Sequence, residues 1–241
     1  MSDLERIKSK FQKIDSKRWW GDEYDVRFFL VNVLKKIQNS IVIDIGGGIG
    51  IILSELNKSN FRINLDLSLE DLLRSKKEFP DIEAVCASMN QLPFKNKSIR
   101  FVICANILEV AKTMDIKTKK LLLENNKTYY QTIIETLSEI NKILENKGKL
   151  YLTTPNNKYY KTTKLDYNEL NNSLLITFDK FTINLFNTYS KFSDKYRKLN
   201  LANIVPKALS KLYSREKILN SLLENAVGDK YSVSFFVEAE K

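Results

Sequence analysis

Residues 41–50 read Ile-Val-Ile-Asp-Ile-Gly-Gly-Gly-Ile-Gly and give the strongest indication of the chain's architecture. The first five are apolar apart from one acid, which is typical of a short strand buried on both faces. The next five hold four of the chain's seven glycines, although glycine loses more backbone entropy on folding than any other residue. Such a cluster is expected where a ligand lies against the backbone at the start of the following helix, because a Cβ atom would block that approach.

Outward from this stretch, strand and helix patterns alternate along the chain. Strands are predicted at 41–45, 61–65, 82–86, 100–105 and 149–153, and helices at 51–58, 68–79 and 129–144. This alternation predicts a parallel sheet with helices on both faces. Apolar residues at helical spacing predict two N-terminal helices at 3–15 and 24–38, and the alternation at 231–240 predicts an antiparallel closing strand.

The sequence of the glycine loop can be compared with the patterns of three families of ligand-binding loop. A P-loop ends in Gly-Lys-Ser/Thr, which is missing here. A dinucleotide fingerprint counted from Gly46 places Ile51 where a small residue is needed for close helix–strand packing. The D-x-G-x-G-x-G spacing at Asp44, Gly46, Gly48 and Gly50 instead resembles the class I S-adenosylmethionine-dependent methyltransferases. A tight turn with no ligand is the alternative.

The resemblance covers residues 40–154 and implies a Rossmann-like fold with S-adenosylmethionine as cofactor. In this family the loop glycines, here Gly46, Gly47, Gly48 and Gly50, face the methionine part, and the acid of the first strand, Asp44, supports its amino group. The acid that ends the second strand, Asp66, is implied to bind both ribose hydroxyls, followed by Leu67 in the cofactor site. A carboxylate suits that role because it accepts from two neighbouring hydroxyls.

Two further stretches extend the resemblance around the cofactor. Residues 88–94, Ser-Met-Asn-Gln-Leu-Pro-Phe, resemble the family's adenine-side string, which implies that Ser88 and Met89 lie near the adenine, with Ser88 in place of the usual acid. Residues 101–108 resemble the fourth strand and its exit, which implies that Ala105 and Asn106 lie where cofactor and acceptor meet. Arg100 stands where the family commonly has an acid.

Candidate catalytic residues are few because the chain has no histidine. Methyl transfer from a sulfonium is an in-line displacement that depends mainly on alignment, and a base is needed only if the acceptor loses a proton. Glu109, just past the fourth strand, is the first candidate base, and the others are Asp22, Tyr24, Asp25, Tyr159 and Tyr160. A carboxylate or phosphate acceptor would need no base.

Residues 156–227 interrupt the alternation and are predicted to form a mostly helical cap that selects the acceptor. They hold twelve Lys and Arg side chains against six Asp and Glu, so they carry most of the net charge of +10. Basic and aromatic residues leave the sheet together at its start, namely Lys158, Tyr159, Tyr160, Lys161 and Lys164. The alternative is that the aromatic residues form the segment's own core and the lysines are solvated.

The chain is therefore predicted to be one methyltransferase domain over residues 1–241. Its parts are N-terminal helices at 1–38, a cofactor-binding core at 39–155, a helical cap at 156–227 and a closing strand at 228–241. Cys86 and Cys104 are expected to be buried apolar residues too far apart for a disulfide, because two strands separate theirs in the family's sheet. Without histidine and with only two cysteines, no metal site is expected.

The acceptor is left open by the sequence. The resemblance is nearest to small-molecule, quinone-biosynthesis-like methyltransferases, and a basic chain favours an anionic acceptor, an acidic membrane surface or nucleic acid. An RNA or DNA methyltransferase and a cofactor-binding protein without catalysis are the alternatives. The absence of a signal peptide or long apolar run leads us to expect a cytoplasmic protein.

Overall fold

The computed structural model of the protein describes residues 24–108, 129–156, 165–186 and 234–241. The strands in these ranges are β1 (Ile41–Ile45), β2 (Phe61–Asp66), β3 (Glu83–Cys86), β4 (Ile99–Ala105), β5 (Leu144–Pro155), β6 (Lys180–Phe186) and β7 (Ser234–Glu240). The helices are α1 (Tyr24–Leu34), α2 (Ile51–Ser54), α3 (Leu69–Glu78), α4 (Tyr129–Ile143) and α5 (Tyr167–Thr177).

The seven strands form one sheet in the order β3-β2-β1-β4-β5-β7-β6. Strands β1 to β5 pair in parallel, and β7 pairs antiparallel with both β5 and β6. The predicted mostly parallel sheet with an antiparallel closing strand is confirmed. The chain moves outward from β1 to β3 and then returns to place β4 beside β1, so the carboxyl ends of β1 and β4 form the topological switch point at which such sheets bind ligands.

Helices cover both faces of the sheet, as the alternating pattern predicted. One hydrophobic cluster contains buried side chains of α4 and α5, such as Leu137 and Leu170, together with Ile43 of β1. The other cluster contains α1 and α2 side chains, such as Leu34 and Ile52, together with Val42 of β1. Neighbouring residues of β1 thus point to opposite faces, which is why the strand is apolar throughout.

The mostly helical cap predicted at 156–227 stays a prediction, because the structure describes only residues 156 and 165–186 of that segment. These contain helix α5 and a strand, β6, that the sequence did not predict. Helix α5 packs against α4 on a face of the sheet, and β6 is the edge strand beside β7. Along β6 the side chains alternate between partly buried Phe181 and Ile183 and exposed Thr182 and Asn184, which is the pattern of a half-buried strand. Residues 157–164 and 187–227, with Lys158, Tyr159, Tyr160, Lys161 and Lys164, lie outside the described residues.

Local sequence patterns predicted the N-cap of α3 correctly but not the length of α2 or the exposure of Cys86. Ser68 is the N-cap of α3, and its hydroxyl accepts a hydrogen bond from the Asp71 N–H, as the capping pattern predicted. Helix α2 is a single turn rather than the predicted eight residues. Cys104 is buried, but the prediction that Cys86 is buried is wrong, because it ends the edge strand β3 and is exposed. No disulfide joins the two cysteines, and β2 and β1 lie between their strands.

A buried arginine at the amino end of β2 yields a testable pH dependence. The Arg62 guanidinium is buried and donates from Nη2 to Asp81 Oδ2 at 2.6 Å, and this hydrogen bond holds the pKa of Asp81 below its usual value. A depressed carboxyl pKa contributes stability that is present above the unfolded-state pKa and is lost as the pH falls through the folded-state pKa. We therefore expect Asp81→Asn to lower the melting temperature at neutral pH, with a difference from wild type that shrinks below about pH 4.

Thermal unfolding followed by circular dichroism at several pH values measures this difference. Asp179→Asn, which changes an exposed acid between α5 and β6, is the matched control and should have little effect at any pH. A destabilisation by Asp81→Asn that does not change with pH would contradict the prediction.

Candidate cofactor and active site

The centre of the glycine loop is held by two side chains of β2. The Gly48 N–H donates to Asp66 Oδ2 at 2.8 Å, and the Gly48 carbonyl accepts from Asn64 Nδ2 at 2.8 Å. Gly48 has a φ of 56°, a left-handed conformation that glycine adopts without steric cost. The loop therefore leaves β1 in a conformation that its own glycine permits and that the neighbouring strand fixes.

The loop also packs closely against its surroundings. A Cβ atom on Gly47 would lie 2.3 Å from Asn64 Oδ1, and one on Gly46 would lie 2.6 Å from the Ile107 side chain. A Cβ atom on Gly50, the N-cap of α2, would lie 2.7 Å from Ser75 Oγ. The residues following β4 thus lie directly against the loop that follows β1, at the switch point of the sheet.

Asp66 ends β2 and is partly buried. Its Oδ2 accepts from the Gly48 N–H, and its Oδ1 accepts from the Ser68 N–H, both at 2.8 Å. Each oxygen of a carboxylate offers about two acceptor positions, so one position on each oxygen remains for another donor. This geometry lets Asp66 hold the loop and still receive two hydroxyl groups.

Asp44 lies beneath the loop in the middle of the sheet. It is 1% exposed, and its Cα pairs in register with that of Asn64 on β2. Its Oδ2 would lie 2.9 Å from a Cβ atom on Gly47. Asp44, Asn64 and Asp66 thus place three polar side chains from two adjacent strands under and beside one five-residue loop.

The exit of β4 is fixed by β5. Ala105 ends β4 and pairs with Thr153, and the Asn106 N–H donates to the Thr153 carbonyl at 2.8 Å. Asn106 has a φ of 54°, and its Oδ1 accepts from Thr153 Oγ1 at 3.0 Å. Asparagine tolerates this left-handed conformation better than most residues, which gives it a structural role at this turn.

The predicted adenine-side residues follow the end of β3. The Ala87 N–H donates to the Asp66 carbonyl at 3.1 Å, which brings this segment beside the end of β2. Ser88 and Met89 are partly buried, whereas Leu67 is 63% exposed. Thr136 Oγ1 of α4 donates to Asn90 Oδ1 at 2.6 Å and ties the segment to the helix layer.

Residues 42–123 match the family described as "Methyltransferase domain". They contain the glycine loop and the carboxyl ends of β1, β2 and β4. This match, which spans 82 of the 241 residues, supports a class I S-adenosylmethionine-dependent methyltransferase. A curated relative, an uncharacterized protein of Methanocaldococcus jannaschii, is 40% identical over 81 residues, which are 32% of this chain and 34% of that protein. The match thus spans about a third of the relative's length.

Solved structures of methyltransferases share the fold of this chain. A chain from the complex of the Haloferax volcanii Trm112 methyltransferase activator with a methyltransferase superposes with a TM-score of 0.56 at 14% identity, over 100% of this chain and 98% of that one. Phosphoethanolamine N-methyltransferase 2 of Haemonchus contortus, solved with S-adenosyl-L-methionine, gives 0.58 at 14% identity, over 99% and 57%. A TehB-like methyltransferase of Corynebacterium glutamicum gives 0.56 at 12% identity, over 99% and 98%.

The structure brings together some of the predicted site residues and leaves others outside the part that it describes. Those at the ends of β1, β2 and β4 come together around the glycine loop, whereas Ser88 and Met89 join them through the Ala87 contact to Asp66. Glu109, Asp22, Tyr159 and Tyr160 lie outside the described residues, and Tyr24 and Asp25 begin α1. Within the ranges that the structure describes, no three His, Cys, Asp or Glu side chains cluster as metal ligands do, and no helix is long and apolar enough to cross a bilayer.

Asn64 contacts the glycine loop although the sequence did not predict it as a site residue. Its amide contacts Gly48 and Ser75, and it is fully buried. The signal was present, because an amide in the middle of a buried strand must find hydrogen-bonding partners when both faces of the sheet are covered. The identity of those partners depended on how the glycine loop folds back over β2, which no local pattern specifies.

Proposed function

We propose that this chain binds S-adenosylmethionine on the glycine loop and transfers its methyl group to a small-molecule acceptor. The observation that carries the proposal is the bond between Gly48 and the Asp66 carboxylate at the switch point between β1 and β4. This hydrogen bond places the glycine loop, whose backbone is not covered by side chains, beside a carboxylate that can accept further hydrogen bonds. A nucleoside with an adjacent amino acid chain suits such a surface, because it offers ribose hydroxyls to the acid and a thin chain to the loop.

The proposed cofactor roles follow the path from β1 to β4. The methionine part lies on Gly46, Gly47, Gly48 and Gly50, with Asp44 supporting its amino group, and the ribose hydroxyls donate to Asp66. Leu67, Ser88 and Met89 border the adenine, and Ala105 and Asn106 lie near the methyl group. The contact between the Gly46 position and Ile107 supports this arrangement, because it brings the β4 exit to the loop.

The proposed chemistry is an in-line displacement in which an acceptor lone pair attacks the methyl carbon as its bond to sulfur breaks. S-adenosylhomocysteine leaves with the electron pair of that bond. Alignment of the reacting atoms supplies most of the catalysis, so the fixed loop matters more than any acid or base. Glu109 remains our candidate base for acceptors that must lose a proton.

We infer an anionic or lipid-like acceptor from charge. The chain carries a net charge of +10, and residues 156–227 hold twelve basic side chains against six acidic ones. Nucleic acid is the second candidate on the same ground. Arg100 does not support a loss of catalysis, because it lies at the amino end of β4 and donates to Glu145 at 3.1 Å, at the opposite end of the strand from the proposed site.

The cofactor assignment predicts binding of S-adenosylmethionine and S-adenosylhomocysteine and no binding of NAD. Ile51 is 3% exposed within a hydrophobic cluster, so the small residue that a dinucleotide fingerprint needs is replaced by a packed side chain. Isothermal titration calorimetry with the three ligands measures this directly. Tight NAD binding without any response to S-adenosylmethionine would overturn the proposal.

The acceptor class is tested with S-adenosylmethionine labelled on its methyl group. The labelled cofactor is incubated with the protein and, separately, with a small-molecule extract, total RNA and anionic lipid vesicles. Label in a small anionic or lipid-like product supports the proposal. Label in RNA alone favours the nucleic-acid alternative, and intact cofactor binding without transfer to any pool favours a binding protein without catalysis.

A further inference from the structure

We propose that Asn64 is a positioning residue that holds the Gly48 carbonyl and so keeps the cofactor loop in its binding conformation. The inference rests on the proposed function, because it takes the glycine loop as the cofactor surface. Asn64 lies outside the set of residues to which the proposed function assigns a cofactor contact. Its effect would therefore reach the cofactor only through the loop.

The orientation of the Asn64 amide is set by its neighbours. Nδ2 donates to the Gly48 carbonyl at 2.8 Å and contacts Ser75 Oγ of α3 at 3.1 Å. A carbonyl only accepts hydrogen bonds, so the nitrogen must be the atom that faces Gly48. The loop is therefore held by the amide nitrogen of Asn64, which is a donor, and not by its amide oxygen.

Asn64 and Asp66 act on consecutive peptide units of the loop. The Gly48 N–H, bound by Asp66, belongs to the peptide between Gly47 and Gly48, whereas the Gly48 carbonyl, bound by Asn64, belongs to the next peptide. The two side chains come from alternate positions of β2 and point to the same face of the sheet. Together they fix the orientation of the backbone on both sides of a left-handed glycine.

A purely structural role does not explain the choice of an amide at this position. Asn64 Oδ1 is buried and accepts no hydrogen bond from the residues that the structure describes. An unsatisfied buried acceptor is costly, so an apolar side chain would serve strand packing better. The donor function of Nδ2 toward the loop accounts for keeping the amide.

Two substitutions separate the donor from the shape of the side chain. The leucine side chain of Asn64→Leu is similar in shape to asparagine but has no hydrogen-bond donor at any pH. We therefore expect this substitution to weaken cofactor binding about tenfold or more. Asn64→Asp has a donor only when its carboxyl is protonated. We expect burial and the nearby acids Asp44 and Asp66 to raise the pKa of the introduced carboxyl above the ordinary value for aspartic acid.

The pH dependence of Asn64→Asp is the decisive measurement. The ratio of its dissociation constant to that of wild type should be large at about pH 8 and fall toward one as the pH approaches about 5, because the protonated carboxyl again donates to Gly48. The ratio for Asn64→Leu should stay constant over the same range. The neighbouring side chains of Asp44 and Asp66 are present in wild type as well, so their contribution is largely removed by taking the ratio.

Asn60→Leu is the matched control. Asn60 is also buried, and its amide donates to the Ile37 carbonyl and accepts from the Ser40 N–H, but it precedes β2 at the opposite end of the sheet. The Asn60→Leu substitution should lower the stability of the protein without changing its affinity for the cofactor. Equal affinity in Asn64→Leu and wild type, or a pH-independent ratio for Asn64→Asp, would overturn the inference while leaving the proposed function intact.

Hydrogen exchange of the Gly48 and Gly50 amides in the cofactor-free protein gives a second readout. Loss of the Asn64 donor should speed exchange at both amides, and Asn60→Leu should not. If wild type fails to bind S-adenosylmethionine, the proposed function fails, whereas exchange still tests the role of Asn64 in the loop. Unchanged exchange in Asn64→Leu would overturn that role.

Discussion

Asp66→Ala is expected to weaken S-adenosylmethionine binding by about 1.5–3 kcal/mol for each charge-assisted hydrogen bond lost, or roughly tenfold or more. The proposed bonds to the ribose hydroxyls disappear with the carboxylate. The loop changes as well, because the Gly48 N–H and the Ser68 N–H both lose their acceptor. We therefore expect a lower melting temperature in addition to weaker binding. Isothermal titration calorimetry and thermal unfolding measure the two effects.

Asp66→Asn separates the two contributions. The amide keeps one oxygen acceptor, so it retains a bond to one of the two backbone donors, but it has neither the charge nor the full set of acceptor positions. Its affinity should fall while its stability lies between those of Asp66→Ala and wild type. Glu70→Ala removes an exposed acid from the first turn of α3 and is the matched control. Unchanged affinity in Asp66→Ala would count against the ribose assignment.

The sheet could be predicted from the sequence because its strands carry strong local signals. The β-branched run at Ile41–Ile45, the strand ending at Asp66 and the cap at Ser68 each specify their own structure with few alternatives. Strand β6 was missed because its residues, Lys-Phe-Thr-Ile-Asn-Leu-Phe, follow a helix in a segment that was predicted to be mostly helical. Its place in the sheet depends on pairing with β7, which lies about fifty residues later in the chain.

The candidate site was predictable only in part, for a physical reason. Spacing and strand order predicted that Gly48 and Asp66 would lie near the same edge of the sheet. Neither indicated that they would bond to each other, because that contact depends on the path of the loop after it leaves β1. The burial of Asn64 beneath the same loop is a tertiary feature of this kind, and it also accounts for the extra glycine at position 47.

Gly47→Ala is expected to be strongly destabilising and to weaken cofactor binding, and both effects of this substitution should be smaller in a variant that already lacks the Asn64 side chain. The φ of Gly47 lies outside the left-handed region, so the backbone can accept alanine. The cost comes from the Cβ atom, which would lie 2.3 Å from Asn64 Oδ1 in a packed environment. Overpacking of this kind typically costs about 1–3 kcal/mol, with displacement of the loop.

A double-mutant cycle of Gly47→Ala and Asn64→Ala measures this coupling through urea unfolding and cofactor titration. The destabilisation by Gly47→Ala should be smaller in the Asn64→Ala background, with a coupling of about 0.5–3 kcal/mol. The destabilisation by Gly47→Ala should not disappear in this background, since Asp44 Oδ2 would still lie 2.9 Å from the new Cβ atom. Gly148→Ala is the control, because its Cβ atom would meet the backbone oxygens of Glu145 and Ile99 near the start of β4, and its cost should be additive with Asn64→Ala. Strict additivity of Gly47→Ala and Asn64→Ala would mean that the glycine at position 47 is not there to make room for Asn64.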